Sequence, residues 1–331
     1  MSDGNKETLN RREFFARAGR AGAVITAATA GSLLLFDSEP PRPGPQGKTF
    51  AGLPDFSVPH TRGDTISIVH GRERKKTVNM ALKLLGGIER FIKPGETVAI
   101  KPNVAFASPP LLGATTNGEL VAEVVRLCYI EGRAKKVLVL DNPINDPASC
   151  FALSGIGTAA ESAGARIVMP KKHRFIDMTL AQGKLIRHWP VFLSPFEKVD
   201  KLIGIAPVKS HSRSIASMTM KNWYGLLGGR RNIFHQDINT IISELAMMVR
   251  PTLVILDGTE VMMTNGPTGG SLSDLRRADT VIVSCDQVAA DACGASLLDL
   301  RIVDLPYLAM AEKAGVGTRD YSALQPITTT A

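Results

Sequence analysis

The sequence contains few cysteines and few aromatic residues. Four cysteines in 331 residues are too few for a disulfide scaffold. No two of them have the C-x-x-C spacing of cluster ligands, so a four-cysteine iron–sulfur or structural zinc site is not expected. Aromatic residues make up 5% of the chain and do not alternate with a basic stripe. This composition argues against nucleic-acid binding.

Two common phosphate-binding motifs and a membrane-spanning run are also missing. No Gly-x-Gly-x-x-Gly follows the first predicted strand, and no glycine-rich loop ends in Gly-Lys-Ser/Thr. The standard dinucleotide fingerprint and the P-loop are therefore excluded. No run of about 18 strongly apolar residues occurs after residue 40, so the body of the chain has no predicted transmembrane helix.

The first 36 residues have the layout of a bacterial twin-arginine export signal. Arg11 and Arg12 precede Phe14 and Phe15, and an apolar stretch rich in alanine and glycine follows. A charged segment before a weakly apolar one is typical of such signals. An ordinary amphipathic helix with a chance arginine pair is the alternative. We therefore expect the twin-arginine translocase as a partner. The expected location is the periplasm or cell envelope, with membrane anchoring if the signal is not cleaved.

The chain carries a modest excess of positive charge. The formal net charge is +8, and loss of residues 1–30 would leave about +6. A mildly basic protein suits a small anionic substrate and an anionic membrane surface equally well. The charge therefore predicts the sign of a ligand but not its identity, and the oligomeric state stays open.

Proline content and hydrophobic patterning divide the rest of the chain. Six prolines between residues 37 and 62 predict an extended linker. In residues 63–315, strands that are apolar throughout, such as residues 97–100 and 201–206, alternate with segments of helical spacing, such as residues 77–91 and 148–163. This pattern predicts an α/β fold with a mainly parallel sheet, helices on both faces and Rossmann-like layers, in one or two lobes. Residues 316–331 are predicted to be a C-terminal tail.

Polar side chains follow the apolar run of five predicted strands. Ligands bind outside the carboxyl ends of strands in a parallel sheet, so these side chains share one site if the five strands are parallel. Aspartate and asparagine can instead cap the next helix, but a lysine there opposes the helix dipole. The residues are Lys101 and Asn103, Asp141 and Asn142, Lys209 and His211, Asp257, and Asp286.

The stretch richest in such groups contains Lys209, His211, Thr219, Lys221 and Asn222. Two lysines close together would bind a phosphate or a carboxylate. Each would also lower the pKa of the other, which can make a lysine a base or a nucleophile. The histidine is suited to acid/base chemistry or to metal ligation. A solvated loop with a chance histidine is the alternative.

A glycine-rich loop forms a further candidate ligand contact. It contains Asn265, Gly266, Gly269 and Gly270. Glycine allows positive φ angles and close approach of the backbone to a ligand, and successive N–H groups can form an anion nest. An ordinary turn is the alternative.

Taken together, these motifs resemble the domain-of-unknown-function 362 family over roughly residues 64–300. The resemblance rests on Val98-Ala99-Ile100-Lys101-Pro102-Asn103, on Lys209-x-His211 with Lys221-Asn222-x-x-Gly225, on Asp257-Gly258 with the glycine-rich loop, and on Asp286-Gln287-Val288-Ala289-Ala290-Asp291. It implies the family's fold and site positions. Family members often carry a ferredoxin-like iron–sulfur domain or a twin-arginine signal. This chain lacks the cysteine-rich module, so no iron–sulfur cluster is expected within it.

The leading hypothesis is an exported enzyme that acts on a small anionic or carbonyl-bearing molecule. Lys209, Lys221 and His211 are the candidate catalytic residues, with His211 as the general acid/base. Lys101 is expected to bind or polarise the anion. The other candidate ligand-binding residues are Asn103, Asn142, Thr219, Asn222, Asn265, Gly266, Gly269 and Gly270.

Three aspartates are the candidate metal ligands. Asp257, Asp286 and Asp291 are expected to orient the histidine or to hold a divalent cation, and the cofactor is otherwise unassigned. Two other functions stay open. One is a non-catalytic envelope protein that binds an anion or a cofactor, which needs the lysines but no proton carrier. The other is an accessory protein of an electron-transfer or cofactor-maturation system.

Overall fold

The computed structural model describes residues 49–50, 52–61, 63 and 65–331. The predicted export signal at residues 1–36 lies outside these residues. The strands are β1 (Thr49–Phe50), β2 (Ile66–His70), β3 (Thr97–Lys101), β4 (Lys136–Leu140), β5 (Arg166–Val168), β6 (Ile176–Leu180), β7 (Trp189–Val191), β8 (Lys201–His211), β9 (Ile215–Ser217), β10 (Leu253–Met262), β11 (Leu275–Ser284) and β12 (Ile327–Thr330). The α-helices are α1 (Arg74–Leu84), α2 (Ile88–Phe91), α3 (Gly118–Ile130), α4 (Pro147–Leu153), α5 (Ile156–Ser162), α6 (Thr219–Asn222), α7 (Ile238–Met248), α8 (Gln287–Ala295) and α9 (Pro306–Lys313).

Nine of these strands form one mainly parallel sheet. Its order is β12-β2-β11-β10-β8-β3-β4-β5, with β9 paired to β8. In the part of the sheet with the order β10-β8-β3-β4-β5, each strand is parallel to its neighbours, and β12 is parallel to β2. In contrast, β11 is antiparallel to both of its neighbours. The predicted α/β class is confirmed, and the described residues belong to one compact unit, Gly47–Ala331, rather than to two lobes.

Helices cover both faces of this sheet because its strands are apolar on both sides. Val98 and Ile100 of β3 pack with α1, α2 and α3 in one hydrophobic core. Ala99, between them, packs in a second core with α7, α8 and α9. Successive residues of a strand point to opposite faces, so an uninterrupted apolar strand is what a doubly covered sheet requires.

Glycine divides two of the predicted helices. The helix predicted from residue 148 to residue 163 is split into α4 and α5 at Gly155, where φ is +70°. The helix predicted from residue 77 to residue 91 is split into α1 and α2 at Gly86 and Gly87, with φ of +95° and +78°. Such angles interrupt a right-handed helix, and glycine adopts them without steric cost. Within the described ranges, no helix is long and apolar enough to cross a bilayer.

The predicted linker and the predicted tail both contribute to the folded unit. β1 pairs with β6 in a separate small sheet that also contains β7. Leu53 and Phe56 are 8% and 2% exposed and pack in the core. The prediction of an extended linker over residues 37–62 is therefore wrong for this part, because its apolar side chains are buried. The prediction of a tail is also wrong, since the β-branched residues of β12 pair with β2.

The reversal of β11 moves one predicted site residue away from the others. Ser284, at the end of β11, pairs with Val254, near the beginning of β10. Asp286 therefore lies at the edge opposite to the carboxyl ends of the parallel strands. A parallel crossover usually contains a helix, whereas the connection from β10 to β11 has only a short 3₁₀ turn. The expectation of five parallel strands is thus wrong for the last one.

Candidate functional site

A cavity of about 180 Å³ lies where β3, β4 and β8 end. Lys101 is the last residue of β3, Asp141 directly follows β4, and Lys209 and His211 belong to the end of β8. Because these strands are parallel neighbours, their terminal side chains meet at one edge of the sheet. The polar lining residues are Lys101, Asn103, Asp141, Asn142, Lys209, His211, Ser217, Lys221, Asn222, Tyr224, Arg231, His235 and Thr268.

A buried ion pair joins β3 to β4 beside the cavity. The Lys101 ammonium lies 2.7 Å from the Asp141 carboxylate, and the two side chains are 0% and 3% exposed. Lys101 also donates to the carbonyl oxygen of Pro102 and to Oδ1 of Asn222. Burial lowers the pKa of Lys101, and the Asp141 charge opposes that shift. This lysine is therefore fully engaged within the protein.

Lys209 is held by two backbone carbonyl groups. Its Nζ donates to the oxygen of Ala114 at 2.6 Å and to that of Pro267 at 3.3 Å, and it lies 5.5 Å from the centre of the Phe106 ring. Burial, followed by the charge of Lys221, lowers the pKa of Lys209 to about 7. The side chain thus exists in both protonation states near neutral pH.

Lys221 differs from the other two lysines in having no acceptor. Its Nζ lies 5.0 Å from the centre of the Tyr224 ring, and no hydrogen bond or carboxylate contact to it occurs within the described part of the chain. Burial, followed by the charge of Arg231, lowers the pKa of Lys221 to about 7. This amine is free to interact with whatever enters the cavity.

The charges that line the cavity do not balance. Lys101, Lys209, Lys221 and Arg231 face a single carboxylate, Asp141. Buried cations in a site of low dielectric attract an anion far more strongly than exposed ones do. The walls therefore favour a ligand with at least one negative group.

His211 is held as a neutral hydrogen-bond donor. Its Nδ1 accepts the backbone N–H groups of Arg213 at 3.1 Å and Ser214 at 3.3 Å, so the ring proton is on Nε2. Burial, and then the neighbouring cationic groups, lower the pKa of His211 to about 2. The His235 ring is stacked on it with centres 5.8 Å apart. In this arrangement the free ring nitrogen already carries its proton, so His211 can donate a hydrogen bond to a ligand but cannot accept a proton at Nε2.

The three candidate asparagines serve different purposes. Asn222 donates to the carbonyl oxygens of Lys101 and Ile205, so it ties β3 to β8. Asn142 donates to the carbonyl oxygen of Leu227 at 2.8 Å. Oδ1 of Asn103 is buried and has no hydrogen-bond partner among the described residues. Asn103 is therefore the amide that can accept a hydrogen bond from a ligand.

Thr219 and Asp291 position the short helix α6 rather than line the cavity. Asp291 Oδ1 accepts the Thr219 N–H at 2.7 Å, and Oδ2 accepts the Met220 N–H at 3.1 Å. The Thr219 hydroxyl lies 2.5 Å from Asp291 Oδ1. Burial raises the pKa of Asp291 to about 7. These bonds fix the beginning of the helix that carries Lys221.

The other two predicted metal ligands also have partners inside the protein. Asp257 accepts from Arg74 at 2.9 Å. Asp286 accepts the first N–H groups of α8, from Val288 and Ala289. The lining of the cavity includes neither of them, nor Asp291. The structure therefore does not assemble the predicted aspartate cluster at the cavity.

The glycine-rich loop closes one side of the cavity through Pro267 and Thr268. The Gly266 N–H donates to Oγ of Ser210, and the Gly269 N–H donates to the carbonyl oxygen of Asn265. The Asn265 side chain donates to Asp274 at 2.6 Å. These two amides are used within the protein and are not free for an anion. Gly270 has open space around it.

A wider groove leads away from the cavity. It has a volume of about 670 Å³ and shares Asn142, Ile144, Tyr224, Arg231 and His235 with the cavity. Its outer walls include Phe175, Pro190 and Lys172. The groove provides an approach for a ligand and room for any part of it that projects beyond the charged cavity.

Several residues of this site could not be assigned from the sequence. Asp141 stood in the pattern of strand ends, but its partner across the sheet could not be inferred. Arg231, Tyr224 and His235 follow no strand, and nothing in the sequence separates Arg231 from its neighbour Arg230. Their positions depend on how the chain folds back after α6. The sequence pattern therefore identified the polar residues at the strand ends, but not Arg231, Tyr224 and His235, which line the cavity from the segment after α6.

This chain is similar in sequence to one curated protein and distantly similar to several solved structures. A thylakoid-associated protein of Synechocystis sp. is 27% identical over 244 residues, covering 71% of this chain and 73% of that protein. The lactate racemase apoprotein of Thermoanaerobacterium thermosaccharolyticum is 13% identical, with a TM-score of 0.39 over 73% of this chain and 59% of that one. A Thermotoga maritima protein is 10% identical, with a TM-score of 0.36 over 77% of this chain and 61% of that one.

The chain thus spans less than two thirds of the length of either solved structure. The family assignment depends instead on a family model that matches more than half of this chain. Residues 98–296 match the family described as Domain of unknown function (DUF362). They run from β3 through α8 and include every lysine that lines the cavity. The chain belongs to this family.

Proposed function

We propose that the protein is an enzyme that acts on a small anionic molecule bound in the cavity. The observation that carries the proposal is the enclosed excess of cations, with Lys209 and Lys221 buried and their pKa values lowered to about 7. Buried lysines of this kind stabilise a fold less than apolar residues would. Ionisable groups poised near neutral pH in a cavity are typical of catalytic sites.

The contacts of each group support a distinct part for it in the proposed function. Arg231 and Lys209 attract the negative group of the ligand. His211 donates a hydrogen bond to the ligand from its Nε2–H group. Oδ1 of Asn103 accepts a hydrogen bond from the ligand. Lys209 and Lys221 hold or move a proton near neutral pH. The Lys101–Asp141 pair keeps the ends of β3 and β4 in place and contributes no free charge.

A non-catalytic anion-binding protein is the second candidate. The fixed protonation of His211 favours it, because a binding site needs donors that do not titrate. The two candidates differ in turnover. A bound compound that is released unchanged after hours of incubation supports the binder, whereas its conversion, followed by NMR, supports the enzyme.

Binding is tested by the thermal stability of the purified protein with phosphate, pyruvate and malate, together with native mass spectrometry of the protein as isolated. We expect at least one of these anions to raise the melting temperature. Lys209→Met and Lys221→Met should abolish that effect. Lys76→Met is the matched control, since it removes the same charge from an exposed side chain. Equal stabilisation of all four proteins would contradict an anion site in the cavity.

We further propose that the protein is exported by the twin-arginine translocase and acts in the periplasm or cell envelope. Arg11 and Arg12 support this location, and the relative from Synechocystis sp. is named as thylakoid-associated. The test is cell fractionation of the native protein and of a variant with both arginines changed to lysine. The native protein should leave the cytoplasm and the variant should remain there. Retention of both in the cytoplasm would refute export.

A further inference from the structure

The three lysines of the cavity differ in how many acceptors surround each ammonium group. Lys101 has the Asp141 carboxylate, a carbonyl oxygen and an amide oxygen. Lys209 has two carbonyl oxygens. Lys221 has none within the described part of the chain. A buried ammonium that has no acceptor from the protein is costly, so its burial favours the neutral amine at Lys221.

The surroundings of Lys221 keep its lone pair available. Arg231 repels a second positive charge there, and the carboxylate of the cavity, Asp141, is committed to Lys101. The side chain is 9% exposed, so bulk water reaches it poorly. Asp291 fixes the beginning of α6, which holds the amine in one place. A desolvated, uncharged and fixed amine is a nucleophile.

We propose that Lys221 forms a Schiff base with an anionic carbonyl compound, such as a 2-oxo carboxylate, whose carboxylate is held by Arg231 and Lys209. This inference rests on the proposed function, because the anion site must bind the carboxylate. It adds the reactive atom and the chemical class of the substrate. The cavity volume of about 180 Å³ is many times the roughly 10–15 Å³ that one water molecule needs, which leaves room for a short oxo acid.

The step balances with groups already in the cavity. The neutral Nζ of Lys221 attacks the carbonyl carbon, and a C–N bond forms as the C–O π bond breaks. The oxygen then leaves as water. It takes one proton from the attacking amine and one from the Lys209 ammonium. The products are a protonated imine at Lys221, neutral Lys209 and one water molecule, with no oxidant or reductant required.

Reductive trapping tests the proposal on the full-length folded protein. The protein is incubated at pH 7 with glyoxylate or pyruvate and sodium cyanoborohydride, and the modified lysines are located by peptide mass spectrometry. Lys221 should be modified at least tenfold faster than Lys101 or Lys209, which serve as controls within the same molecule. Lys221→Met should lose this fast modification. The comparison within the native protein holds even if that variant does not fold.

The outcomes separate this proposal from the one before it. Fast modification of Lys221 by either compound supports the Schiff base. Modification of Lys209 in preference to Lys221, or no fast modification of Lys221 by either compound, overturns it. If pyruvate still raises the melting temperature in that case, the anion site stands and only the covalent step is refuted. If no anion stabilises the protein either, both proposals fall.

Discussion

The ammonium of Lys101 and the carboxylate of Asp141 meet at 2.7 Å where two neighbouring parallel strands end. Neither side chain is reached by solvent to a useful extent. Gly225 approaches so closely that an added Cβ would lie 2.0 Å from Asp141 and 2.8 Å from the Lys101 ammonium. The pair therefore fixes the positions of β3, β4 and the segment after α6 at the same time.

Removing one partner of this pair should be costly. Asp141→Asn leaves Lys101 buried without its counter-ion, and we expect a loss of roughly 3 kcal/mol in the free energy of unfolding, measured in urea. Lys101→Met combined with Asp141→Leu should recover part of it. Asp299→Asn, which breaks the exposed pair with Arg276, is the control and should lose much less. An equal loss in the free energy of unfolding in Asp141→Asn and Asp299→Asn would show that the buried pair stabilises the fold no more than the exposed pair does.

The buried lysines should make stability rise with pH. The pKa of Lys221 is about 7 in the folded protein and 10.5 ordinarily, so between these values the unfolded chain binds more protons. The free energy of unfolding then increases with pH across that window. Lys221→Met should be more stable than the native protein near pH 7. Its free energy of unfolding, measured in urea from pH 7 to 9, should rise less steeply with pH. Lys76→Met should keep the native slope, and an unchanged slope in Lys221→Met would disprove the assignment.

Binding of an anion should be accompanied by proton uptake. A negative ligand held by Lys209 favours the charged form of that lysine and so raises its pKa. At pH 8 Lys209 is largely neutral in the free protein, and we expect uptake of about one proton per phosphate bound. Calorimetry in buffers of different ionisation enthalpy measures this number. Proton uptake should be smaller at pH 6, where the lysine is already largely protonated before the anion binds. A binding enthalpy at pH 8 that does not depend on the buffer would show that no lysine takes up a proton.

Two glycines of the same loop should respond differently to substitution. A Cβ on Gly266 would lie 1.9 Å from the carbonyl oxygen of Ser210, whereas one on Gly270 would meet nothing within 4 Å. Gly266→Ala must displace backbone and with it Pro267, which accepts from Lys209. We expect at least tenfold weaker binding of a stabilising anion in Gly266→Ala and native binding in Gly270→Ala. Similar affinities in both would show that the loop does not shape the cavity.

The sheet and one edge of the site could be predicted from the sequence, because polar residues follow apolar strands there. Apolar strands at residues 97–100 and 201–206 indicated a covered parallel sheet, and Lys101, Lys209 and His211 indicated the edge where its site lies. The structure brings these groups together with Lys221. These residues could be recognised because each lies in, or just after, a strand whose apolar pattern is visible in the sequence.

The remaining features depend on contacts distant in the chain. The protonation of His211 follows from two backbone N–H groups that turn back toward its ring, which no spacing shows. The use of Asp286 as a helix cap and of Asp257 as the partner of Arg74 depends on strand direction and on packing across the sheet. A carboxylate after a strand looks the same in the sequence whether it meets a ligand, a helix or an arginine.

The strand β12 has a consequence for handling the protein. It pairs with β2 along residues 67–70, and so covers backbone groups that would otherwise form the outer edge of the sheet. An uncovered edge strand is a template for pairing with another molecule. Trimming the chain after residue 315 would expose β2, and the shortened protein should self-associate, detectable by light scattering. The short strand Ile327–Thr330 thus covers β2 and replaces it as the outermost strand of the sheet.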